Sequence, residues 1–275
     1  MTGELAAAYK SGSQRAKNVT EAWGADNFYC PNCSSPKLDW LKSNTHAHDY
    51  RCPSCEFLFQ LKSQKSPLGQ SVTDGAYGAM MKAIQADQTP NFYFMHYDLA
   101  TWSIRNLLLV PSFAFPTSAI IKRNPLAATA RRAGWIGCNI ALHRIPADAR
   151  ISLVKESNVV PAKEVREQFK RVKPLQEISV AQRGWTLDVL TAVRELVTER
   201  GSVTRSTLAN PTRCDSQSRA PGEFTNEDIY ALAPHFEKLH PGNRHVKDKI
   251  RQQLQVLRDL GLLLHIGKGE WRVPL

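Results

Sequence analysis

The stretch Asp49-Tyr50-Arg51-Cys52-Pro53-Ser54-Cys55-Glu56-Phe57-Leu58-Phe59-Gln60-Leu61-Lys62, read with Cys30-Pro31-Asn32-Cys33 upstream, decides how the first half of this chain folds. Two C-x2-C pairs stand eighteen residues apart, positions 34–51 lying between them. Each C-P-x-C is a knuckle that aims two thiolates at one metal. Two knuckles at this spacing predict a tetrahedral zinc site held by Cys30, Cys33, Cys52 and Cys55, in a zinc ribbon over about 28–59. Disulfides fit a reducing compartment poorly, and a thioredoxin-like motif needs only one pair. A short strand, His48 to Arg51, enters the second knuckle, and Phe57 to Lys62 leaves it as another. Gln60 and Lys62 are two apart, so they share a face, and antiparallel pairing brings Asp49 opposite that face. Such a cluster can hold a divalent cation on oxygen ligands beside an ammonium, as phosphodiester hydrolysis requires. On spacing alone, solvated strand residues are the commoner reading.

Outward from that hairpin, the expected class is α+β, a mixed sheet with flanking helices. Leu5, Tyr9, Ala16, Val19 and Trp23 suit a helix or two near the start. Asp74 can cap a helix bearing Tyr77, Met80, Met81 and Ile84. Phe92 to Met95, Leu107 to Val110, Ile136 to Leu142 and Ile151 to Val154 read as strands. The character changes after about Pro174. The expected division is a domain over 1–175, a linker over 176–184 and a second domain over 185–275. Thr186 can cap a helix with Leu187, Leu190, Val193, Leu196 and Val197 inward, ending at Gly201. Ser202 to Gly222 is polar and reads as a mobile insertion. Thr225 and Asp228 form a capping box for a second helix. A third helix is expected from Arg244 to Leu260, then a hairpin turning at Gly267-Lys268-Gly269. Three helices and a basic-tipped hairpin make a winged helix. Asn243, Arg244, His245 and Lys247 would begin its recognition helix, with Arg251 on the outer face and Lys268 at the wing. Protein contacts are the competing role for such a domain.

Charge supplies the first functional clue. The 275 residues include 36 Lys and Arg against 25 Asp and Glu, a formal net charge of +11. A polyanion is the expected partner. Positions 99–147 contain no acid but carry Arg105, Lys122, Arg123, Arg131, Arg132 and Arg144. That reads as a phosphate-contacting surface with salt-dependent affinity. With 42% hydrophobic and 22% charged residues, disorder is excluded as the main state. The uncharged run between Arg105 and Lys122 is broken by Pro111 and Pro116, so no membrane span is expected. The start, MTGELAAAYK, does not resemble a signal peptide, and the expected location is the cytoplasm. Cys138 and Cys214 read as small buried or loop residues.

Several segments carry a family resemblance: YCPNC, DYRCPSC followed by FQLKSQK, DGAYGAMMKAIQAD, IIKRNPLAATARRAGWIGCNI and IRQQLQVLRDLG. With these, nearly the whole chain resembles the DpnI-like methyl-directed type II restriction endonucleases. The resemblance implies a PD-(D/E)XK nuclease core with a zinc ribbon, joined to a C-terminal winged helix. It implies Mg²⁺-dependent cleavage of double-stranded DNA at GATC when the adenine carries an N6-methyl group, with both domains reading the site. Mn²⁺ is the expected substitute metal, zinc is structural, and the working unit is a monomer. Asp49, Gln60 and Lys62 fall on the D, E and K positions of the family motif. Asp49, Gln60 and the Leu61 carbonyl would hold the Mg²⁺.

One position departs from that pattern, because the family's carboxylate is an amide at Gln60. An amide still offers one oxygen, but the site loses a negative charge. Glu56 has the same strand parity and is the candidate to compensate. Trp135, flanked by Gly134 and Gly137 and next to Arg131 and Arg132, is the candidate methyl sensor, with a core tryptophan as the competing role. One methyl is worth only roughly 0.8 kcal/mol on burial, so a strict switch needs a pocket fitting two. Two alternatives stay open: a zinc-ribbon and winged-helix DNA-binding regulator whose nuclease site is weak, and a nuclease indifferent to methylation.

Overall fold

The computed structural model describes residues 1, 11–41, 48–207 and 220–274, with backbone only over 200–207. Leu5, Tyr9, Cys214 and most of the expected insertion lie outside the described residues. The first half is a seven-stranded sheet in the order β1-β2-β3-β5-β6-β9-β10. Its strands are β1 (Asp39–Trp40), β2 (Tyr50–Arg51), β3 (Leu58–Gln64), β5 (Asn91–Tyr97), β6 (Ile104–Val110), β9 (Ile151–Lys155) and β10 (Asn158–Val159). Only β3 and β5 pair in parallel, with Phe59 beside Asn91 and Gln64 beside His96. The crossover between them holds β4 (Ser71–Ala76) and helix α2 (Tyr77–Gln85). Six of the seven β5 residues are buried, because a continuous apolar run suits a central strand covered on both faces. A small second sheet runs β4-β8-β7, from β7 (Ile120–Lys122) and β8 (Gly137–Ala141). The α+β class and the mixed sheet are as the sequence leads one to expect.

Helix α1 (Gly12–Asn27) packs on β3, where the Thr20 hydroxyl donates to Ser63 Oγ at 3.0 Å. The Tyr50 hydroxyl donates to the Glu21 carbonyl at 2.8 Å and locks the helix over β2. Gly24 permits this approach. A Cβ there would stand 2.4 Å from Tyr50 Oη and 2.6 Å from the Phe28 ring. Those rings cannot yield, since Phe28 stacks on Tyr93 at 4.1 Å and both are buried. Gly24→Ala is therefore expected to destabilise the protein by about 1–3 kcal/mol through overpacking, outweighing the gain in helix propensity. Thermal unfolding of the variant checks this; an unchanged midpoint would count against the tight seat of α1.

Next along the chain come helix α3 (Ala162–Val172), packed on β9, and the long α4 (Val180–Thr207). Three expectations need correction here. Asp74 caps no helix; it lies within β4, and Ala76 precedes α2 without a side-chain cap. Helix α4 begins at Val180, ahead of the expected cap Thr186, and runs past its expected end at Gly201 to Thr207. The reason is tertiary: the Arg183 guanidinium is buried, pairing with Asp87 and donating to the Ile178 carbonyl at 3.0 Å. Thr186 is then interior to the helix, its hydroxyl donating to Gln253 Oε1 at 2.6 Å. The third correction concerns the recognition helix α7, which covers Val246–Asp259. Asn243, Arg244 and His245 precede it, with the Asn243 side chain accepting from the His245 amide at 2.7 Å.

The Thr225–Asp228 capping box forms as expected, opening the short α5 (Asn226–Tyr230). Pro234 then starts a separate α6 (Ala233–Leu239), so the second helix is split in two. The C-terminal hairpin pairs β12 (Leu264–Gly267) with β13 (Glu270–Arg272), and β11 (Glu223–Thr225) completes its three-stranded sheet. Gly269 takes φ +74° in the turn. Ile250, Leu254 and Leu257 of α7 are fully buried, as their spacing predicts. Among the described residues, no helix is long and apolar enough to cross a membrane.

Candidate active site and nucleic-acid interface

Strand β3 alternates as its sequence dictates. Phe59 and Leu61 are buried, while Gln60 and Lys62 project from the other face and are half-buried. Its partner β2 pairs only at Tyr50 with Phe59 and at Arg51 with Leu58. Beyond that point the Asp49 amide donates to the Phe59 carbonyl at 2.8 Å, and the partner strand departs. Among the described residues, no strand pairs with β3 on that side at Leu61. The Leu61 amide donates to Asp49 Oδ2 at 2.7 Å, which fixes the carboxylate against that edge. In an extended strand the N–H and C=O of one residue point to the same side, so the Leu61 carbonyl faces the same opening. The side chains of Asp49 and Gln60 and the Leu61 carbonyl are hard oxygen donors, the set that suits Mg²⁺. Burial raises the Asp49 carboxyl pKa, while the Leu61 amide and Lys62 act to lower it.

Lys62 is held by an ion pair with Asp74, whose side chain is 8% exposed. Asp74 stands opposite Cys138 across the β4–β8 ladder, so the small sheet carries the counter-ion that aims the lysine. Cys138 is buried, as the sequence reading has it, and burial pushes its thiol up to about 11. Glu56 does not compensate for Gln60. It is exposed in the knuckle turn at φ +59°, ahead of β3 and off the strand face that carries Gln60.

The four cysteines of the two knuckles come together, with ligand atoms all within 4.8 Å of one another. Cys30 Sγ lies 3.5 Å from Cys55 Sγ, and Cys33 Sγ lies 3.5 Å from Cys52 Sγ, far beyond a disulfide bond. Backbone amides of Asn32 and Cys33 turn toward Cys30, and those of Ser54 and Cys55 toward Cys52. This cluster could bind zinc. Arg166 of α3 donates to the Cys30 carbonyl at 3.1 Å and lies over the Tyr29 ring, tying the ribbon to the main sheet.

Comparison with known families gives two matches. Residues 1–178 match the DpnI, Dam-replacing family, and residues 218–273 match the Dam-replacing HTH domain. The chain belongs to the DpnI, Dam-replacing family. Its seven-stranded sheet is accordingly a PD-(D/E)XK nuclease core with an inserted ribbon, and its C-terminal part is the winged helix. Membership implies a nuclease whose partner is DNA.

Two further regions of this DpnI-family chain hold the residues expected from the sequence to contact DNA. In the first, the loop between β7 and β8 closes on itself through the Leu126 amide to the Trp135 carbonyl, at 2.9 Å. Trp135 is neither fully free nor a core residue. It is half-buried, Arg132 lies 4.8 Å over its ring, and Gly137 leaves the space its ring occupies. Arg131 and Arg132 are exposed beside it. The loop continues into β8, whose Cys138 faces Asp74, so it reaches the Lys62 pair through a single ladder. In the second region, Arg244, His245 and Lys247 are exposed around the start of α7. Arg251, one turn on from Lys247, and Lys268 line an open cleft between α7 and the wing shared with Gln255, Arg258 and His265.

Sequence reasoning missed Glu21, Lys17 and Asp74 as neighbours of the motif. Asp74 had been read as a cap, and the two α1 residues lie about thirty positions from the motif they approach. Only the Lys17–Glu21 spacing of four signalled a helix face.

Proposed function

We propose that the chain is a Mg²⁺-dependent type II restriction endonuclease that cuts double-stranded DNA at GATC carrying N6-methyladenine. The observation that carries this reading is the Asp49 carboxylate hydrogen-bonded to the Leu61 amide, with Lys62 one residue on and a family match over the whole core. We further propose a nuclease domain over 1–175, a connection over 176–184 and a winged-helix domain over 185–275, with structural zinc in the cysteine cluster. A Mg²⁺ ion would neutralise charge on the scissile phosphate and lower the pKa of the attacking water. Asp49, Gln60 and the Leu61 carbonyl would hold it, and Lys62 would fix the reacting phosphate or the water. Trp135 would meet the methyl groups, while Arg131, Arg132 and the winged-helix residues would hold the backbone and base edges. Plasmids from adenine-methylating and non-methylating hosts, incubated with Mg²⁺, test the reading. Cleavage of the methylated plasmid alone is the expected result, and cleavage of both would remove the methyl dependence.

Gln60 favours one second reading, a DNA-binding regulator with a weak nuclease site. Replacing an acid by an amide removes a charge beside a dication, and water screens that loss only partly. The expected result for Gln60→Glu is a Mg²⁺ requirement about tenfold lower, worth about 1.4 kcal/mol. Cleavage rate against Mg²⁺ concentration measures it. Superimposable curves would mean Gln60 touches no metal. A variant that cuts where wild type never does would favour the regulator.

A further inference from the structure

We propose that Asp74 is a positioning residue for Lys62, and that the bulge beside it in β4 lets the reading loop at Trp135 set the rate of cleavage. This rests on the nuclease reading, with Trp135 as its methyl contact, and deepens it. Lys62 and Asp74 form an ion pair in which the lysine side chain is 22% exposed and the carboxylate 8%. The partners belong to different sheets, Lys62 to β3 of the main sheet and Asp74 to β4 of the small one. A lysine ammonium rides on a flexible four-carbon stem, so a fixed partner is what gives it one place. The Phe92 ring, 5.9 Å from Nζ, flanks the ammonium without holding it. The position of the Asp74 carboxylate therefore decides where the ammonium meets the reacting phosphate.

That position is set from β8. Asp74 stands opposite Cys138 and Ala76 opposite Gly137, which leaves Gly75 bulged out of the ladder between them. A bulge re-aims the side chain beside it and bends more easily than a regular pair. Both facing residues of β8 lie against it. The Cys138 thiol donates to the Gly75 carbonyl at 3.5 Å. A Cβ on Gly137 would stand 3.5 Å from the same carbonyl and 2.9 Å from the Trp135 ring, so the ring is seated on the strand beside the bulge. The Ile136 carbonyl, between Trp135 and Gly137, accepts from the Tyr77 amide at 3.1 Å and ties the end of the loop to the end of β4. A Cβ on Gly75 would meet nothing within 4 Å, so the bulge has room to shift. A methyl group packed on Trp135 loads Gly137, and the bulge passes that load to Asp74 and its lysine.

The test is single-turnover cleavage of methylated and unmethylated GATC duplex by the full chain at saturating enzyme, where affinity drops out. Asp74→Asn is expected to slow cleavage of the methylated duplex about a hundredfold, the cost of a misplaced reacting group, and to leave the unmethylated rate within a few-fold. The ratio of the two rates then collapses, while DNA affinity by fluorescence anisotropy stays within a few-fold of wild type. In a Lys62→Ala background Asp74→Asn should change nothing further, because a residue that acts through the lysine has nothing left to act on. An Asp74→Asn protein that cuts at the wild-type rate overturns the inference. So do losses that multiply in the double variant, and equal losses on both duplexes, the marks of a role in folding alone. If Asp74→Asn does not fold, Trp135→Ala decides. Its saturating rate on the methylated duplex must fall, and a loss confined to affinity overturns the coupling. Wild type that cuts neither duplex defeats the nuclease reading and this inference with it. Wild type that cuts the methylated duplex no faster than Asp74→Asn does defeats this inference alone.

Discussion

Asp49→Ala and Lys62→Ala are each expected to lower cleavage of methylated GATC duplex about a thousandfold or more while DNA affinity stays within a few-fold of wild type. A metal held at Asp49 and the Lys62 ammonium together would stabilise the transition-state charge by several kcal/mol, and each ~1.4 kcal/mol is a factor of ten in rate. Affinity has a different source. It is expected to come from basic side chains outside the motif, Arg131, Arg132, Arg244, Lys247, Arg251 and Lys268, and should show the steep salt slope of phosphate contacts. The two variants should differ in stability. Lys62→Ala leaves the Asp74 carboxylate buried without its partner, at a cost of about 1–3 kcal/mol, whereas Asp49→Ala relieves a buried acid and frees one amide. Single-turnover rates, fluorescence anisotropy binding and thermal unfolding separate these effects. Wild-type cleavage by either variant would place the active site elsewhere.

Loss of the metal from the cysteine cluster is expected to have the largest effect on structure. Apparent binding energies of structural zinc reach about 10–16 kcal/mol, comparable to the whole stability of a domain, about 5–15 kcal/mol. Regular structure around the knuckles is sparse, since β1 and β2 have two residues each. The damage should spread from there to the active site. Tyr50, beside Asp49, is buried against Phe28, and Phe28 and Phe59 stack on Tyr93 of the central strand. Cys52→Ser should therefore lower the melting point by at least about 6 °C, for ~3 kcal/mol lost, and abolish cleavage together with hydrogen-exchange protection of β2 and β3. The winged helix, with its own core around Phe236, Ile250 and Leu254, should keep its protection. Purified wild type with no zinc, or a Cys52→Ser protein as stable as wild type, would count against this.

Local chemistry in the sequence determined much of this protein. Two C-P-x-C pairs place four thiols around one point because each knuckle needs only its own turn and the spacing of the pair. Period-two alternation on 58–62 puts Gln60 and Lys62 on one face whatever the rest of the chain does. The Thr225 capping box and the apolar spacing of Ile250, Leu254 and Leu257 are likewise short-range signals. Tertiary structure alone decided the rest. Asp74 carries the signature of a helix cap, but β8 draws it into a strand, where it meets Lys62. Thr186 carries the same signature, but burial of Arg183 against Asp87 pulls the start of α4 back to Val180. The approach of α1 to the motif depends on Gly24 against Tyr50, Thr20 against Ser63 and Tyr50 against Glu21, pairs 26, 43 and 29 positions apart. No periodicity reports such contacts, because their energy comes from packing between segments that are distant in sequence and meet only in the folded chain.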